Sequence, residues 1–153
     1  MSEREFSFEY VAIPDPDDRE RMTYWRVSGA ALVSWPPHAR YGPVLLRSDI
    51  PKGVRGNERA EWIHAWFAEH RNRWLALVRR AVDSDRAGAS TRFAAFTCRC
   101  CSCGRALTDA ASKTYGVGPE CRRYLSADYL AVLSEWVGRA HAEAIALGIE
   151  VPA

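Results

Sequence analysis

Four cysteines fall within CRCCSCG, residues 98–104, and a fifth, Cys121, follows in YGVGPEC. Thiols at such spacing can close disulfides, carry redox chemistry, or hold a soft metal such as Zn²⁺ through tetrahedrally placed thiolates. Two C-x2-C pairs overlap here, Cys98 with Cys101 and Cys100 with Cys103. A zinc knuckle turns sharply behind its second cysteine so that backbone N–H groups face the sulfurs, and a glycine there accepts the positive φ such a turn needs. Gly104 follows Cys103 whereas Ser102 follows Cys101, which favours the Cys100/Cys103 register.

The remote cysteine is placed for the same chemistry. Gly116 and Gly118 loosen the chain, Pro119 suits a first helical position, and Cys121 is expected in the first turn of a helix. Free amides and the positive end of the helix dipole stabilise a thiolate there. A knuckle completed by a helix-opening cysteine outlines a treble-clef-like or ribbon-like zinc site. The intervening ALTDAASKTYG is expected to turn and form a short helical segment capped by Thr108 or Asp109. Cys98 is the expected fourth ligand, because on an extended strand it precedes Cys100 by two residues and points to the same side. Cys101, Asp109, His141 and water are the alternatives, water leaving an open position.

The elements that must position this site are legible in outline. The chain has 153 residues, 48% hydrophobic and 26% charged, enough for a compact core. MSEREFSFEY has neither the basic start nor the apolar run of a leader, and no stretch has the length to cross a bilayer, so a cytoplasmic protein is expected. In a reducing cytosol clustered cysteines are metal ligands or redox thiols more often than disulfides. The predicted class is α+β, with region 1–95 preceding a zinc-binding region 96–153. EFSFEYVAIPDPDD alternates as a strand does, and further apolar runs broken by Ser28-Gly29, Pro36-Pro37 and Gly42-Pro43 predict a small antiparallel sheet over about residues 5–50.

A long amphipathic helix is predicted over about residues 58–83, with Asn57 as N-cap. Ile63, Phe67, Trp74, Val78 and Val82, widened by Trp62 and Trp66, are expected to pack on the sheet as core, while His64 and His70 read as surface and face-edge histidines. DSDRAGAS reads as a break before a short STRFAAF segment. SADYLAVLSEWVGRAHAEAIALG predicts a terminal helix capped by Ser126, burying Leu130, Leu133, Val137, Ala140 and Ala144 and stopping at Gly148.

CCSCGRALTDAASKTYGVGPEC is similar to the pattern C-x2-C-G-R-x-L-T-D-x-x-S-x-x-x-G-x-G-P-x-C, found at the C-terminal end of many short, uncharacterised actinobacterial and phage proteins and appended to some phage replication proteins. YVAIPDPDDRERMTYWRV and RYGPVLLRSDIP resemble the front of one actinobacterial branch, extending the resemblance over most of the chain. It implies a small zinc-binding protein, and it supplies neither a reaction nor a substrate.

Two functional readings compete. The formal net charge is only +2, so nucleic-acid binding must be argued from where charge sits. Arg99, Arg105, Lys113, Arg122 and Arg123 outnumber Asp109 and Glu120 around the cysteines, and fixed by zinc they could contact DNA or RNA phosphates. The plainer account has these cations compensating thiolate charge. The alternative function is a phage- or mobile-element-related adaptor that meets a partner protein around a purely structural zinc. An enzyme is disfavoured, since the chain has no P-loop, G-x-S-x-G or H-E-x-x-H.

Overall fold

The structure is a computed structural model that describes residues 5–152. Three strands, β1 (Tyr10–Pro14), β2 (Met22–Ser28) and β3 (Ala31–Ser34), form an antiparallel sheet in the order β1-β2-β3. Ser28 pairs with Ala31 across a two-residue loop whose first member, Gly29, takes φ 58°. The sheet is shorter than its expected span. After Ser34 the Trp35, Pro36-Pro37 and Gly42-Pro43 stretch is irregular, because prolines remove ladder donors.

Helix α1 (Gly56–Trp66) runs through a π-helical turn (Phe67–Arg71) into α2 (Asn72–Ser84). The wider turn rotates the helix face by about a quarter of a turn, so positions spaced by seven across it do not align. The expected stripe is therefore split. Trp74, Val78 and Val82 of α2 are buried against Val11, Ile13, Trp25 and Val27 of the sheet, whereas α1 buries no residue. Trp74 is further held by its indole N–H, which donates to the buried Asp15 carboxylate at 3.0 Å. Asn57 does not cap the helix; the N-cap is Arg55, without a side-chain bond.

The expected break falls at Asp85 but is one residue long: Asp83 and Ser84 end α2, and Arg86–Ser90 already belong to the central helix, α3 (Arg86–Thr97). Asp85 caps it by accepting from the Gly88 N–H at 2.9 Å. Its polar residues are satisfied rather than solvated: Thr91 donates to the Ala87 carbonyl, and Ser90 to the Tyr10 carbonyl at 2.7 Å. With Arg86 donating to Phe8 and Arg92 to Ala12, α3 takes up alternate carbonyls along the outer edge of β1. An edge strand left with such groups unpaired would be both costly and adhesive. Phe93, wholly buried, meets the rings of Tyr10, Tyr24 and Trp35 at 5.0–6.1 Å.

Helix α4 (Ala110–Tyr115) follows the cysteine knuckle, and α5 (Ala127–Leu147) closes the fold against α3. Ser126 caps α5 by accepting from the Tyr129 N–H, and Gly148 ends it at φ 69°. Leu133, Val137, Ala140 and Ala144 are its buried stripe, the last three packing on Ala95 and Phe96, while Leu130 is only half-buried. Among the described residues no helix is long and apolar enough to cross a membrane.

The two caps give opposite expectations. Asp85→Ala is expected to cost about 1 kcal/mol through loss of the α3 cap. Asn57→Ala, exposed and capping nothing, stays within about 0.5 kcal/mol. Urea denaturation of both variants measures the difference, and equal costs would contradict this placement of the helix starts.

Candidate metal centre

The knuckle begins where α3 stops. Cys98 ends the helix in the left-handed region, φ 56° and ψ 41°, and its N–H still donates to the Ala94 carbonyl. Arg99 and Ala106 then pair as an antiparallel bridge that closes the loop. Inside it, Gly104 N–H donates to the Cys100 carbonyl and Cys100 N–H to the Arg105 carbonyl, both at 2.8 Å. Gly104 takes φ 78°, and its α-carbon lies against Tyr10: a β-carbon there would stand 2.7 Å from the ring. Two further bonds fasten the knuckle to its surroundings. Cys101 N–H donates to Gly116 in the cap of α4, and the Cys101 carbonyl accepts from Glu9 and Tyr10 at 3.1 and 3.0 Å.

This frame gathers three sulfurs. Cys100, Cys103 and Cys121 present Sγ atoms that all lie within 4.8 Å of one another. A metal with bonds of about 2.3 Å places tetrahedral sulfurs about 3.8 Å apart, a spacing compatible with this group. Cys121 sits in a run of hydrogen-bonded turns rather than at a helix start; Arg122 N–H to Gly118 carbonyl, 3.0 Å, makes a single helical turn there. Leu125 and Ser126 separate that turn from α5.

The electrostatics suit a cation. Burial opposes ionisation of Cys100, yet the N–H groups of Gly118, Cys103 and Ser102 aimed at its sulfur hold its pKa below the ordinary thiol value. Burial, and then the charge on Cys100, push Cys121 up to about 12; burial likewise raises Cys103. One anion thus resists the formation of the next, and a divalent cation removes that penalty for all three. Backbone N–H donors to the sulfurs are the outer ring of bonds that a thiolate metal site requires.

Cys98 does not join this group. The expectation assumed an extended strand through residues 98–100, and alternation of sides does not hold across a left-handed helix cap; its sulfur lies 3.7 Å from the Leu107 carbonyl. Cys101 is also apart, wholly buried, with burial and then the Cys100 charge pushing its thiol up to about 12. Asp109 is used elsewhere: it caps α4 through the Ser112 N–H at 3.0 Å and pairs with Arg122. His141, half-buried on α5, is not in the group either.

The five basic residues divide. Arg122 donates to the Ser112 hydroxyl and to the Val117 carbonyl, and its guanidinium lies 5.8 Å from the centre of the Tyr115 ring. Arg99 donates to the Gly104 carbonyl at 2.9 Å and covers the Trp35 ring. Both are internal braces of the knuckle. Arg105 and Arg123 are exposed and Lys113 half-buried, with Arg105 3.5 Å from Glu120. The spacing of basic residues carries no sign of this division, which depends on which carbonyls lie within reach. The donors from Gly118 and Ser102 are equally hidden in sequence, although the two glycines before Pro119 signal an unusual backbone.

Fold and site together define a small α+β protein in which three cysteine sulfurs are placed so that they could hold a metal ion. Residues 90–126, from the middle of α3 to the cap of α5, match the model of a family of unknown function (DUF6011). The similarity thus spans the knuckle, α4 and Cys121. No curated protein matches the chain, and no solved structure does.

Replacing Gly104 by Ala tests the knuckle. The added methyl meets a Tyr10 ring already packed on Phe93, 5.2 Å between centres, and it strains a left-handed backbone. The expected loss is about 1–3 kcal/mol in urea denaturation; an unchanged midpoint would contradict the contact.

Proposed function

We propose that this chain is a small zinc-binding interaction protein in which Cys100, Cys103 and Cys121 hold Zn²⁺ and the metal fixes the junction of β1, α3, α4 and α5. Three convergent thiolates with N–H donors suit Zn²⁺, which bonds sulfur readily and has no geometric demand beyond the tetrahedron. When bound, the ion supplies folding free energy and neutralises the crowded thiolates. The segment between Cys98 and Tyr124 gives Cys100, Cys101, Leu107, Val117 and Cys121 to a buried cluster with Ala94 and Leu133, and the metal would tie that cluster together.

The observation that carries the interaction reading is α1. It buries no residue, and Trp62, Ile63, Trp66 and Phe67 are only half-buried along it and its π-helical continuation, with exposed Val44 in the same cleft wall as Phe67. Large apolar side chains grouped on a standing helix favour a protein partner. The nucleic-acid reading is weakened because Arg99 and Arg122 are spent on internal bonds, leaving Arg105, Lys113 and Arg123 for phosphates.

Metal content tests the first half of this proposal. Cys121→Ser is expected to lose stoichiometric zinc while Cys98→Ser retains it, measured by elemental analysis of purified protein. At free zinc about a hundredfold above the dissociation constant, binding contributes about 2.7 kcal/mol, so chelation is expected to lower the melting temperature by about 5–10 °C. Zinc retained in Cys121→Ser would refute the ligand set.

Titration with DNA and RNA oligonucleotides at two salt concentrations tests the second half. The expected result is no salt-dependent binding. Binding that weakens with salt, and weakens again in the Arg105→Ala, Lys113→Ala, Arg123→Ala variant, would return the function to nucleic acid.

A further inference from the structure

The surface beside the three sulfurs extends the zinc reading by one ligand, and the extension rests on that reading. Cys100 is wholly buried and Cys121 nearly so, but Cys103 is only half-buried, and Cys103 and Cys121 both line a cleft of about 510 Å³. Arg105, Gly118 and Glu120 form part of its remaining wall. Among the described residues no histidine, cysteine, aspartate or glutamate adds a fourth ligand atom to the three sulfurs. The other candidates in the chain are held elsewhere: Cys98 at the Leu107 carbonyl, Cys101 outside the group of sulfurs, Asp109 in the cap of α4, and Glu120, in the cleft wall, against Arg105.

Charge then selects what the cleft can deliver. Zn²⁺ on three thiolates carries one net negative charge, and a fourth anion would double it at a site only partly open to water. The neighbouring cations are committed elsewhere: Arg105, in the cleft wall, is paired with Glu120, Arg122 with Asp109, and Arg99 is turned to the Gly104 carbonyl and the Trp35 ring. A neutral donor adds no charge; water is one such donor, and an imidazole nitrogen, the stronger base towards zinc, displaces it and completes the three-cysteine, one-histidine set that zinc adopts in tetrahedral sites. We propose that the fourth position of the metal is filled through this cleft by a neutral nitrogen donor of the imidazole type, supplied from outside the chain. The cleft has the dimensions of a side chain with room around it, so a histidine of a bound partner and a free small molecule share this chemistry.

Cobalt(II) in place of zinc makes the fourth position visible in the whole protein. Sulfur-to-cobalt charge-transfer absorption reports that the ion is on the cysteines, and the visible ligand-field bands report what else binds it. Titration with imidazole is expected to shift the ligand-field bands saturably, and azide at the same concentrations to shift them less. Nα-acetylhistidine methylamide serves as a histidine carried on backbone. A response to both nitrogen ligands supports the proposal with a partner histidine as donor, and a response to imidazole alone supports it with a small-molecule donor. Cys98→Ser is expected to leave the starting spectrum and the imidazole response unchanged.

Bands that do not move with imidazole, azide binding as tightly as imidazole, or a starting spectrum altered by Cys98→Ser would each overturn the neutral-donor assignment while leaving the three-cysteine site standing. Absence of the charge-transfer band would overturn the metal reading and this inference with it. The two failures are thus distinguishable in one set of spectra.

Discussion

The outer edge of β1 is the constraint around which the molecule is arranged. An edge strand presents alternate carbonyls and N–H groups that need partners once water is excluded. Here the carbonyls of Phe8, Tyr10 and Ala12 are taken by Arg86, Ser90 and Arg92 of α3, and the N–H groups of Glu9 and Tyr10 by the carbonyl of Cys101. The strand therefore cannot be completed without both the helix and the knuckle. Because α3 runs directly into Cys98, the strand edge also sets where the knuckle begins.

From that arrangement the grouping of the three sulfurs follows. Holding the Cys101 carbonyl against β1 turns Cys101 itself inward, where burial keeps it neutral, and leaves Cys100 and Cys103 to face Cys121. Gly116 completes the frame. Its α-carbon sits where an added β-carbon would stand 2.9 Å from both Ala94 of α3 and Val137 of α5, so only glycine allows α4 to end between those helices. The carbonyl of the same residue accepts the Cys101 N–H. One backbone position thus fixes the distance from the knuckle to the segment carrying Cys121.

The opposite end of the fold obeys a different logic. The π-helical turn at Phe67–Arg71 takes the apolar stripe out of phase, and Arg71 uses the turn to donate to the carbonyls of Tyr41 and Pro43. Helix α2 is thereby locked to the sheet while α1 is released from it. The spacing of the α1 aromatics suggests core, but spacing alone assumes an unbroken helical period. A single wider turn is enough to take them out of the core stripe.

Residue type and spacing were enough wherever the physics is local. The Cys100/Cys103 register follows from a glycine able to take positive φ, the caps at Ser126 and Gly148 from their side chain and backbone freedom, and the terminal helix from its period. The first strand and the break at Gly29 are legible for the same reason, since alternation and turn chemistry act within a few residues. Matters that depend on a distant partner needed the folded chain. Whether Ser90 and Thr91 mark a loop or the heart of a buried helix is settled by hydroxyl bonds to carbonyls, one of them on another element. Whether Arg99 and Arg122 face solvent or brace a loop depends on carbonyls that only the folded knuckle supplies. Cys98 carries the same lesson: its thiol is chemically identical to its neighbours, and a left-handed helix cap, imposed by the packing of α3, is what separates it from them.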